Sequence, residues 1–201
     1  MMTRGLLITV SGASGTGKGA VCDRLRATTP TLTYSISATT RAPRGAEVDG
    51  REYFFFTRDQ FREKIDRGEF LEYADVYGNY YGTLRSYVDE QRDAGRDVLL
   101  EIDIQGALKV KAACPDAILI FLLPPSLEEL KRRIVGRGTE SEESLARRLA
   151  SAPLEIDVGR RYDYAVVNDM IDRAVERIKA IIVAEHSRIE RSAELFDALK
   201  I

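Results

Sequence analysis

Residues 12–18, which read GASGTGK, have the glycine and lysine spacing of a loop that binds phosphate groups. The loop follows an apolar, β-branched run at residues 6–10, which predicts a buried parallel strand, and precedes a stretch from Val21 that predicts a helix. Glycines let several backbone N–H groups point inward, and a helix N-terminus adds positive partial charge. The flanking strand and helix favour this interpretation over an ordinary Gly/Ser turn with a surface lysine. The predicted contacts to the phosphates of ATP come from Gly12, Ala13, Ser14, Gly15, Thr16, Gly17, Lys18 and Gly19.

The loop lacks one group that such loops usually have, a hydroxyl directly after the lysine. Gly19 and Ala20 stand at the two positions that follow Lys18. That hydroxyl normally gives Mg²⁺ one ligand, but Mg²⁺ usually keeps several waters and is bound largely through substrate phosphates. We therefore predict Mg²⁺ as a cofactor that comes with ATP and is held mainly by waters and ATP oxygens.

The composition limits the class of protein. The chain has 201 residues, of which 44% are hydrophobic, and a formal net charge of −2. These values suit one compact domain and give no indication of a nucleic-acid or membrane partner. The first residues enter a strand at once, so we expect no signal peptide. Two isolated cysteines, Cys22 and Cys114, favour a reducing compartment, and we expect the protein in the cytoplasm.

Strands and helices alternate through most of the chain. Apolar runs at residues 97–103, 117–122 and 165–167 predict three further strands, with a helix at about 106–113 and a last helix whose apolar residues run from Ile171 to Ile189. This order predicts an α/β fold, a phosphate-loop parallel sheet with helices on both faces. Two segments depart from the alternation: residues 34–84 predict a small β-rich insertion, and residues 133–150 a charged helical lid. The single domain 1–201 would thus have its core at 1–33, 85–132 and 151–201.

The insertion contains a second group of residues that suits a phosphate. Arg41 and Arg44 lie three residues apart, beside the hydroxyl of Ser37 and the stiffening Pro43. The planar guanidinium of arginine binds phosphate oxygens in pairs. Tyr53 and several later tyrosines can donate to phosphate while their rings line a base. Taken singly, each feature also fits a solvated surface or an apolar core.

Taken together, these stretches closely resemble guanylate kinases, which phosphorylate GMP with ATP. The resemblance rests on SGASGTGKG, SATTRAPRGAEVDGREY, FLEYADVYGNYYGT, LLEIDIQGA, FLLPPSLEELKRRIVGRGTES and YDYAVVND, which run in order from residue 11 to 169. Nucleoside monophosphate kinases often have glycine directly after the lysine, so Gly19 has precedent. They usually keep threonine next, and Ala20 departs from that pattern.

The resemblance implies a role for each matching residue. The GMP phosphate would be held by Arg41, Arg44, Tyr53 and Tyr81, and guanine would be read by Ser37, Glu72, Thr83 and Asp103. The ATP phosphates would be covered by Arg133, Arg137 and Arg148 of the lid, and the adenine of ATP would be contacted by Asn168. The catalytic set would be Lys18, Arg41, Arg137 and Arg148. Glu101, at the end of the second strand, would orient Mg²⁺ through water.

The two acidic residues agree with guanine on chemical grounds alone. Guanine offers N1–H and N2–H₂ donors, and an ionised carboxylate such as Glu72 or Asp103 only accepts. Adenine lacks both donors in that place. A site built for such hydrogen bonds rejects the analogue without them by a factor of about 10⁴.

Three other functions compete with GMP phosphorylation. The arginines and Tyr53 suit any nucleoside monophosphate, so AMP is an alternative acceptor. A non-catalytic guanylate-kinase-like scaffold that binds phosphopeptides is a second alternative, although such domains typically lose the loop lysine that is present here as Lys18. A GTPase is disfavoured because the chain has no N-K-x-D motif. The expected partners are ATP and GMP, and the oligomeric state, monomer or homodimer, stays open.

Overall fold

A computed structural model describes residues 4–76, 78–135 and 142–191, and for residues 142–145, 147 and 148 it describes the backbone alone. Within these ranges the strands are β1 Leu7–Gly12, β2 Leu32–Tyr34, β3 Ala38–Thr39, β4 Phe54–Phe55, β5 Phe70–Val76, β6 Asn79–Leu84, β7 Asp97–Glu101, β8 Ile118–Leu123 and β9 Tyr164–Val167. The helices are α1 Lys18–Thr28, α2 Arg58–Asp66, α3 Arg85–Asp93, α4 Ile104–Ala113, α5 Leu127–Val135, α6 Glu142–Val158 and α7 Ile171–His186, with a 3₁₀ turn at Gly159–Arg161.

The main sheet is parallel and confirms the predicted fold class. In the described ranges its order is β2-β7-β1-β8-β9, and each neighbouring pair runs parallel. The sequence predicts four of these strands and misses β2, which has only three residues, LTY. Because all strands point the same way, their carboxyl ends lie along one edge of the sheet, where ligands bind in open α/β folds.

Alternate residues of β1 enter two different apolar clusters, as expected for a strand covered on both faces. Ile8 and Val10 pack with residues of α1 and α7. Leu7 packs on the opposite face with residues of α3 and α4. The last helix is shorter than its apolar spacing predicts, since α7 ends at His186 and Ile189 is exposed.

The segment that the sequence assigns to the insertion forms its own sheet, with the order β4-β3-β6-β5 in the part of the chain described here. β5 and β6 form an antiparallel pair, and α2 begins at a complete capping box between Thr57 and Gln60. Phe61 of α2 is fully buried against Phe70, with ring centroids 4.3 Å apart. No helix in the described ranges is long and apolar enough to cross a membrane.

Gly5 is required where the chain enters β1. Its N–H donates to the carbonyl of Arg92, and a Cβ atom built on Gly5 would lie 2.0 Å from the carbonyl oxygen of Arg96. That oxygen belongs to the backbone and cannot rotate away. Any side chain at position 5 must therefore displace the connection between α3 and β7.

Replacing Gly5 with alanine should lower the free energy of unfolding by about 3 kcal/mol, because the clash must be relieved by moving backbone. Urea unfolding at neutral pH measures this. Gly68→Ala is the matched control: its φ of 66° is unfavourable for alanine, but no heavy atom lies within 4 Å of the new Cβ. The control should lose about 1 kcal/mol. Equal losses at the two sites would contradict the steric argument.

Candidate active site

The phosphate loop connects β1 to α1, and two of its glycines have backbone conformations that other residues rarely adopt. Gly15 has a φ of 88°, and Gly17, the N-cap of α1, has a φ of 86°. A Cβ atom at Gly15 would lie 2.6 Å from Ile134 Cγ1, and one at Gly17 would lie 2.6 Å from Asn168 Nδ2. Conformation and close packing therefore both require glycine at these two positions.

The side chain of Asn168 is hydrogen-bonded to the backbone of the phosphate loop. Its side chain is 3% exposed, and Nδ2 donates to the carbonyl oxygen of Thr16 at 2.7 Å. The hydroxyl of Thr16 donates in turn to the carbonyl of Ala13 at 2.8 Å. The sequence predicts that Asn168 contacts adenine. The structure gives its amide N–H a partner within the loop, and Asn168 also lines a cavity of about 690 Å³ together with Ala20 and Arg133. The contact with adenine stays a prediction.

Lys18 lies at the carboxyl end of β7. Its Nζ donates to the carbonyl oxygen of Ile102 at 2.9 Å. A Cβ atom built on the next residue, Gly19, would lie 3.6 Å from Glu101 Oε1. The loop lysine, the small residue after it and the Glu101 carboxylate are thus neighbours.

Glu101 lies between two cavities. It lines the cavity of the phosphate loop, of about 400 Å³, and a cleft of about 770 Å³ that is also lined by Ser37, Glu47 and Tyr53. Its other oxygen, Oε2, accepts a hydrogen bond from the hydroxyl of Tyr34 at 2.7 Å. Burial and this hydrogen bond raise the pKa of Tyr34 well above its usual range.

Arg41 is paired with Glu47, which lines the larger cleft. Its two terminal nitrogens donate to the two carboxylate oxygens at 3.0 and 2.9 Å, and the backbone N–H of Arg44 donates to Glu47 at 2.7 Å. The bidentate pair raises the pKa of Arg41 and lowers the pKa of Glu47. A two-oxygen anion is the ligand that suits this guanidinium fork, and in this structure the anion is a protein carboxylate.

Aromatic rings surround the same guanidinium. Its carbon lies 5.3 Å from the ring centroid of Tyr53 and 5.9 Å from that of Phe55. The ring centroid of Tyr81 is 6.1 Å from that of Tyr53. The structure therefore brings Arg41, Tyr53 and Tyr81 together, while the side chain of Arg44 is exposed.

Three of the residues predicted to read guanine form a second group at the junction of β5, β6 and α4. Glu72 and Thr83 are cross-strand partners, and the Thr83 hydroxyl donates to Glu72 Oε1 at 2.7 Å. A Cβ atom built on Gly106 would lie 3.2 Å from Glu72 Oε2 and 3.3 Å from Asp103 Oδ1. Both carboxylates therefore face one point, beside the N-terminus of α4, where Asp103 Oδ1 also accepts the N–H of Gly106 at 2.7 Å. Ser37 lies apart from this group, in the wall of the cleft that Glu47 and Tyr53 also line.

Comparison with known proteins identifies the family. The family model described as guanylate kinase matches residues 4–185. The chain belongs to the guanylate kinase family. Guanylate kinase of Halalkalibacterium halodurans is 53% identical over 196 residues, which cover 98% of this chain and 96% of that protein. Guanylate kinase of Clostridium tetani is 55% identical over 190 residues, with 94% and 91% coverage.

The likeness extends to three dimensions. The crystal structure of guanylate kinase from Anaplasma phagocytophilum has a TM-score of 0.72 and 34% sequence identity, and the match covers 95% of this chain and 92% of that chain. The fold described above is therefore that of a guanylate kinase.

The resemblance to guanylate kinases implies three lid arginines, and the structure describes the side chain of one of them. Arg133, on α5, donates from Nε to Glu129 at 2.7 Å and from a terminal nitrogen to the carbonyl of Asn168 at 3.2 Å. Arg137 lies outside the described residues. Arg148 lies on α6, and its side chain is outside the described part of the chain. Contacts of these two arginines with ATP stay predictions.

Sequence reasoning missed three side chains that contact the site. Tyr34 holds Glu101, Glu47 pairs with Arg41, and Glu155 of α6 accepts the backbone N–H of Ser14 in the loop at 3.2 Å. Glu47 lies six residues after Arg41, and its charge next to two arginines was a usable signal. Tyr34 and Glu155 are 67 and 141 residues from their partners, so no local pattern indicates them.

Glu72 has an unfavourable environment for its charge. Burial raises the pKa of its carboxyl above 4.5 and Asp103 adds to the shift, while the hydrogen bond from Thr83 opposes it. Because the folded protein holds this proton more tightly than the unfolded chain, the associated stability is fully present below the unfolded pKa. It is lost as the pH rises through the folded pKa.

Glu72→Gln should therefore gain stability relative to the parent protein between about pH 4 and pH 7, because the amide has no charge to bury. Urea unfolding at the two pH values measures the difference. Glu69→Gln is the control with the opposite sign, since its hydrogen bond from Lys64 lowers the pKa of Glu69. That variant should lose relative stability over the same range. A relative stability of Glu72→Gln that falls with pH would refute the assignment of a buried, destabilising carboxylate.

Proposed function

We propose that this protein transfers the γ-phosphate of ATP to GMP, giving ADP and GDP. The observation that carries the proposal is that Glu101 lines both the phosphate-loop cavity and the cleft that contains Ser37, Glu47 and Tyr53. The cavity at the phosphate loop and the cleft that we assign to the acceptor therefore share Glu101 as part of their walls. Membership of the guanylate kinase family supports ATP as the donor and GMP as the acceptor.

The donor side uses backbone dipoles and one mobile cation. The loop from Gly12 to Gly19 curls around a cavity at the N-terminus of α1, where N–H groups and the helix dipole favour anions. Lys18 is bound to a neutral carbonyl, a weaker partner for an ammonium than phosphate oxygens. ATP binding would move Lys18 from Ile102 to the β- and γ-phosphates at little net loss.

The acceptor side exchanges one anion for another. Arg41 is already oriented by its pair with Glu47 and by the rings of Tyr53 and Phe55. The GMP phosphate would take over or share this guanidinium, with Arg44, Tyr53 and Tyr81 around it. Glu72, Thr83 and Asp103 would accept the guanine donors at the other end of the acceptor site. AMP lacks those donors, so the two carboxylates favour GMP over AMP.

The chemical step needs placement and charge more than an acid or a base. The second pKa of a phosphate monoester is about 6, so the attacking oxygen of GMP is already deprotonated at neutral pH. Transfer would be direct and in line, with Lys18, Arg41, Arg137 and Arg148 meeting the charge spread over the phosphoryl oxygens. The lid, which we assign to residues 133–150, would close over the donor and exclude water as a competing acceptor. Besides this lid, we divide the domain into a core at 1–33, 85–132 and 151–201 and a GMP-binding insertion at 34–84.

Mg²⁺ is expected with ATP, where it neutralises charge on the β- and γ-phosphates. Among the described residues, no group of three or more His, Cys, Asp or Glu side chains can hold a metal ion by itself. The oxygens of Glu101 beside Gly19 suit a hydrated hard cation that is bound mainly through substrate phosphates. Glu101 would thus orient water molecules of the metal rather than form a protein cage.

The two cysteines, Cys22 and Cys114, are free and buried, which fits activity in the reducing cytoplasm.

One experiment tests the reaction as a whole: ADP formation in a coupled assay with GMP, AMP, dGMP and UMP as acceptors. Turnover with GMP far above turnover with AMP supports the proposal. Equal rates with AMP would instead indicate a less selective monophosphate kinase, and binding of GMP without turnover would indicate a scaffold.

Lys18→Ala should lower kcat by about 10²–10³-fold, because one cation that stabilises the transferring phosphoryl group is lost. GMP affinity should stay within twofold, since Lys18 lies on the donor side. Steady-state kinetics and a GMP titration measure the two effects. Lys179→Ala, which removes a surface lysine paired with Glu176, is the control and should keep full activity. Turnover of Lys18→Ala near that of the control would rule out the catalytic role of the loop.

Glu72→Gln should weaken GMP by about 10- to 100-fold, because its amide N–H₂ meets a guanine donor in a desolvated site. The KM for ATP should change less than twofold. Glu69→Gln, immediately before β5 and paired with Lys64, should leave both constants unchanged. Unchanged GMP affinity in Glu72→Gln would show that this carboxylate does not read the base.

A further inference from the structure

Glu101 places a negative charge where two groups of phosphate oxygens must meet. It lines the phosphate-loop cavity and the acceptor cleft, and its Oε1 is directed toward Gly19. A carboxylate in this place repels phosphate oxygens unless cations screen its charge, and Lys18, which lines the same cavity, is one such cation. A hydrated metal bound to ATP would be a second, and Glu101 can contact its water shell only if the carboxylate points toward it.

The direction of Glu101 is set by Tyr34. The phenol hydroxyl donates to Oε2 at 2.7 Å, which leaves Oε1 beside the position where a Cβ of residue 19 would lie, at 3.6 Å. In loops with a serine or threonine after the lysine, that side chain supplies a metal ligand from this position. Here residues 19 and 20 are glycine and alanine, and the space beside the loop is bordered by a carboxylate instead.

Tyr34 is itself held from several sides, so it can fix the rotamer of its partner. It is the last residue of β2 and pairs in register with Leu99 of β7, the strand that ends at Glu101. The guanidinium carbon of Arg26 lies 5.4 Å from its ring centroid. Its ring packs against the apolar cluster of β1 and α1. A donor anchored in this way restricts the carboxylate in the manner of second-sphere hydrogen bonds at metal sites.

We propose that Tyr34 is a positioning residue that aims Glu101 at the water shell of the ATP-bound divalent cation and so replaces the hydroxyl missing after Lys18. The inference rests on the proposed function for the presence of ATP and its metal. It assigns to Tyr34 no contact with GMP or with the transferred group. The effect of removing the hydroxyl should therefore fall on the metal and pass through Glu101.

Tyr34→Phe removes the hydroxyl and keeps the ring. The first measurement is Mn²⁺ binding to the complex of protein and ADP, followed by electron paramagnetic resonance, which requires no turnover. The Mn²⁺ affinity should fall about three- to tenfold. This loss is smaller than the roughly 10- to 100-fold that is typical when a second-sphere partner is removed, because the contact between Glu101 and the metal runs through water. The free Mg²⁺ concentration for half-maximal rate should rise by the same factor, while the KM for GMP stays within twofold.

Tyr164→Phe provides the matched control. The Tyr164 hydroxyl also donates to a glutamate, the buried Glu185, through Oε1 at 2.5 Å; Tyr164 begins β9, at the end of the strand opposite the loop. Loss of this bond should leave Mn²⁺ affinity and the Mg²⁺ requirement unchanged. Equal changes in the two tyrosine variants would overturn the inference, because they would indicate general loosening of the fold.

A double-mutant cycle with Glu101→Gln separates positioning from direct action. If Tyr34 acts only through the Glu101 carboxylate, Tyr34→Phe should weaken Mn²⁺ no further in the Glu101→Gln background. Additive losses, or an unchanged Mn²⁺ affinity in Tyr34→Phe, would refute the proposal for Tyr34. Failure of the parent protein to phosphorylate GMP would refute the proposed function instead, and the Mn²⁺–ADP measurement would still report on Tyr34.

Discussion

Repulsion between phosphate groups is the constraint on which this structure depends. A donor and an acceptor nucleotide must place their phosphates in contact, and the protein must offer matching positive charge without being unstable when empty. The cations that we assign to the phosphates are bound to protein oxygens: Arg41 to Glu47, Arg133 to Glu129 and Lys18 to the Ile102 carbonyl. Hydrogen bonds from Arg132 and Arg133 lower the pKa of Glu129 to about 2. In the proposed reaction, nucleotide phosphates would take the place of these protein oxygens at cations that are already oriented.

The parallel sheet makes this arrangement possible because it collects the ends of distant segments at one edge. The loop follows β1, Lys18 and Glu101 meet at the end of β7, Tyr34 ends β2, and Asn168 follows β9. These residues come from across the whole chain, yet strands β2, β7, β1 and β9 of the parallel sheet place them along one edge. The buried amide of Asn168 and the close packing at Gly17 then fix the shape of the loop.

The group of residues that we assign to base recognition shows the opposite compromise. Glu72 is 9% exposed and burial raises the pKa of its carboxyl, so its charge is unfavourable in this fold. Thr83 satisfies one of its oxygens, and the other faces the point that Asp103 also faces. In the proposed complex, guanine donors would pair with that oxygen. Such a site would gain specificity because an analogue without those donors leaves the carboxylates unpaired.

The sequence by itself determined the features that depend on local spacing: the glycines and lysine of the loop, the alternation of strands and helices, the β-rich segment at 34–84 and the paired arginines. These follow from backbone conformation and periodicity within a few residues. Tertiary structure alone decided that β2 joins the sheet, that Glu155 accepts the N–H of Ser14, and that the Asn168 amide donates to the loop. It also decided the direction of Glu101, because the hydroxyl that aims it comes from a residue 67 positions away and from a strand too short to predict. Hydrogen bonds between such distant residues exist only once the packed sheet has brought the two strands side by side.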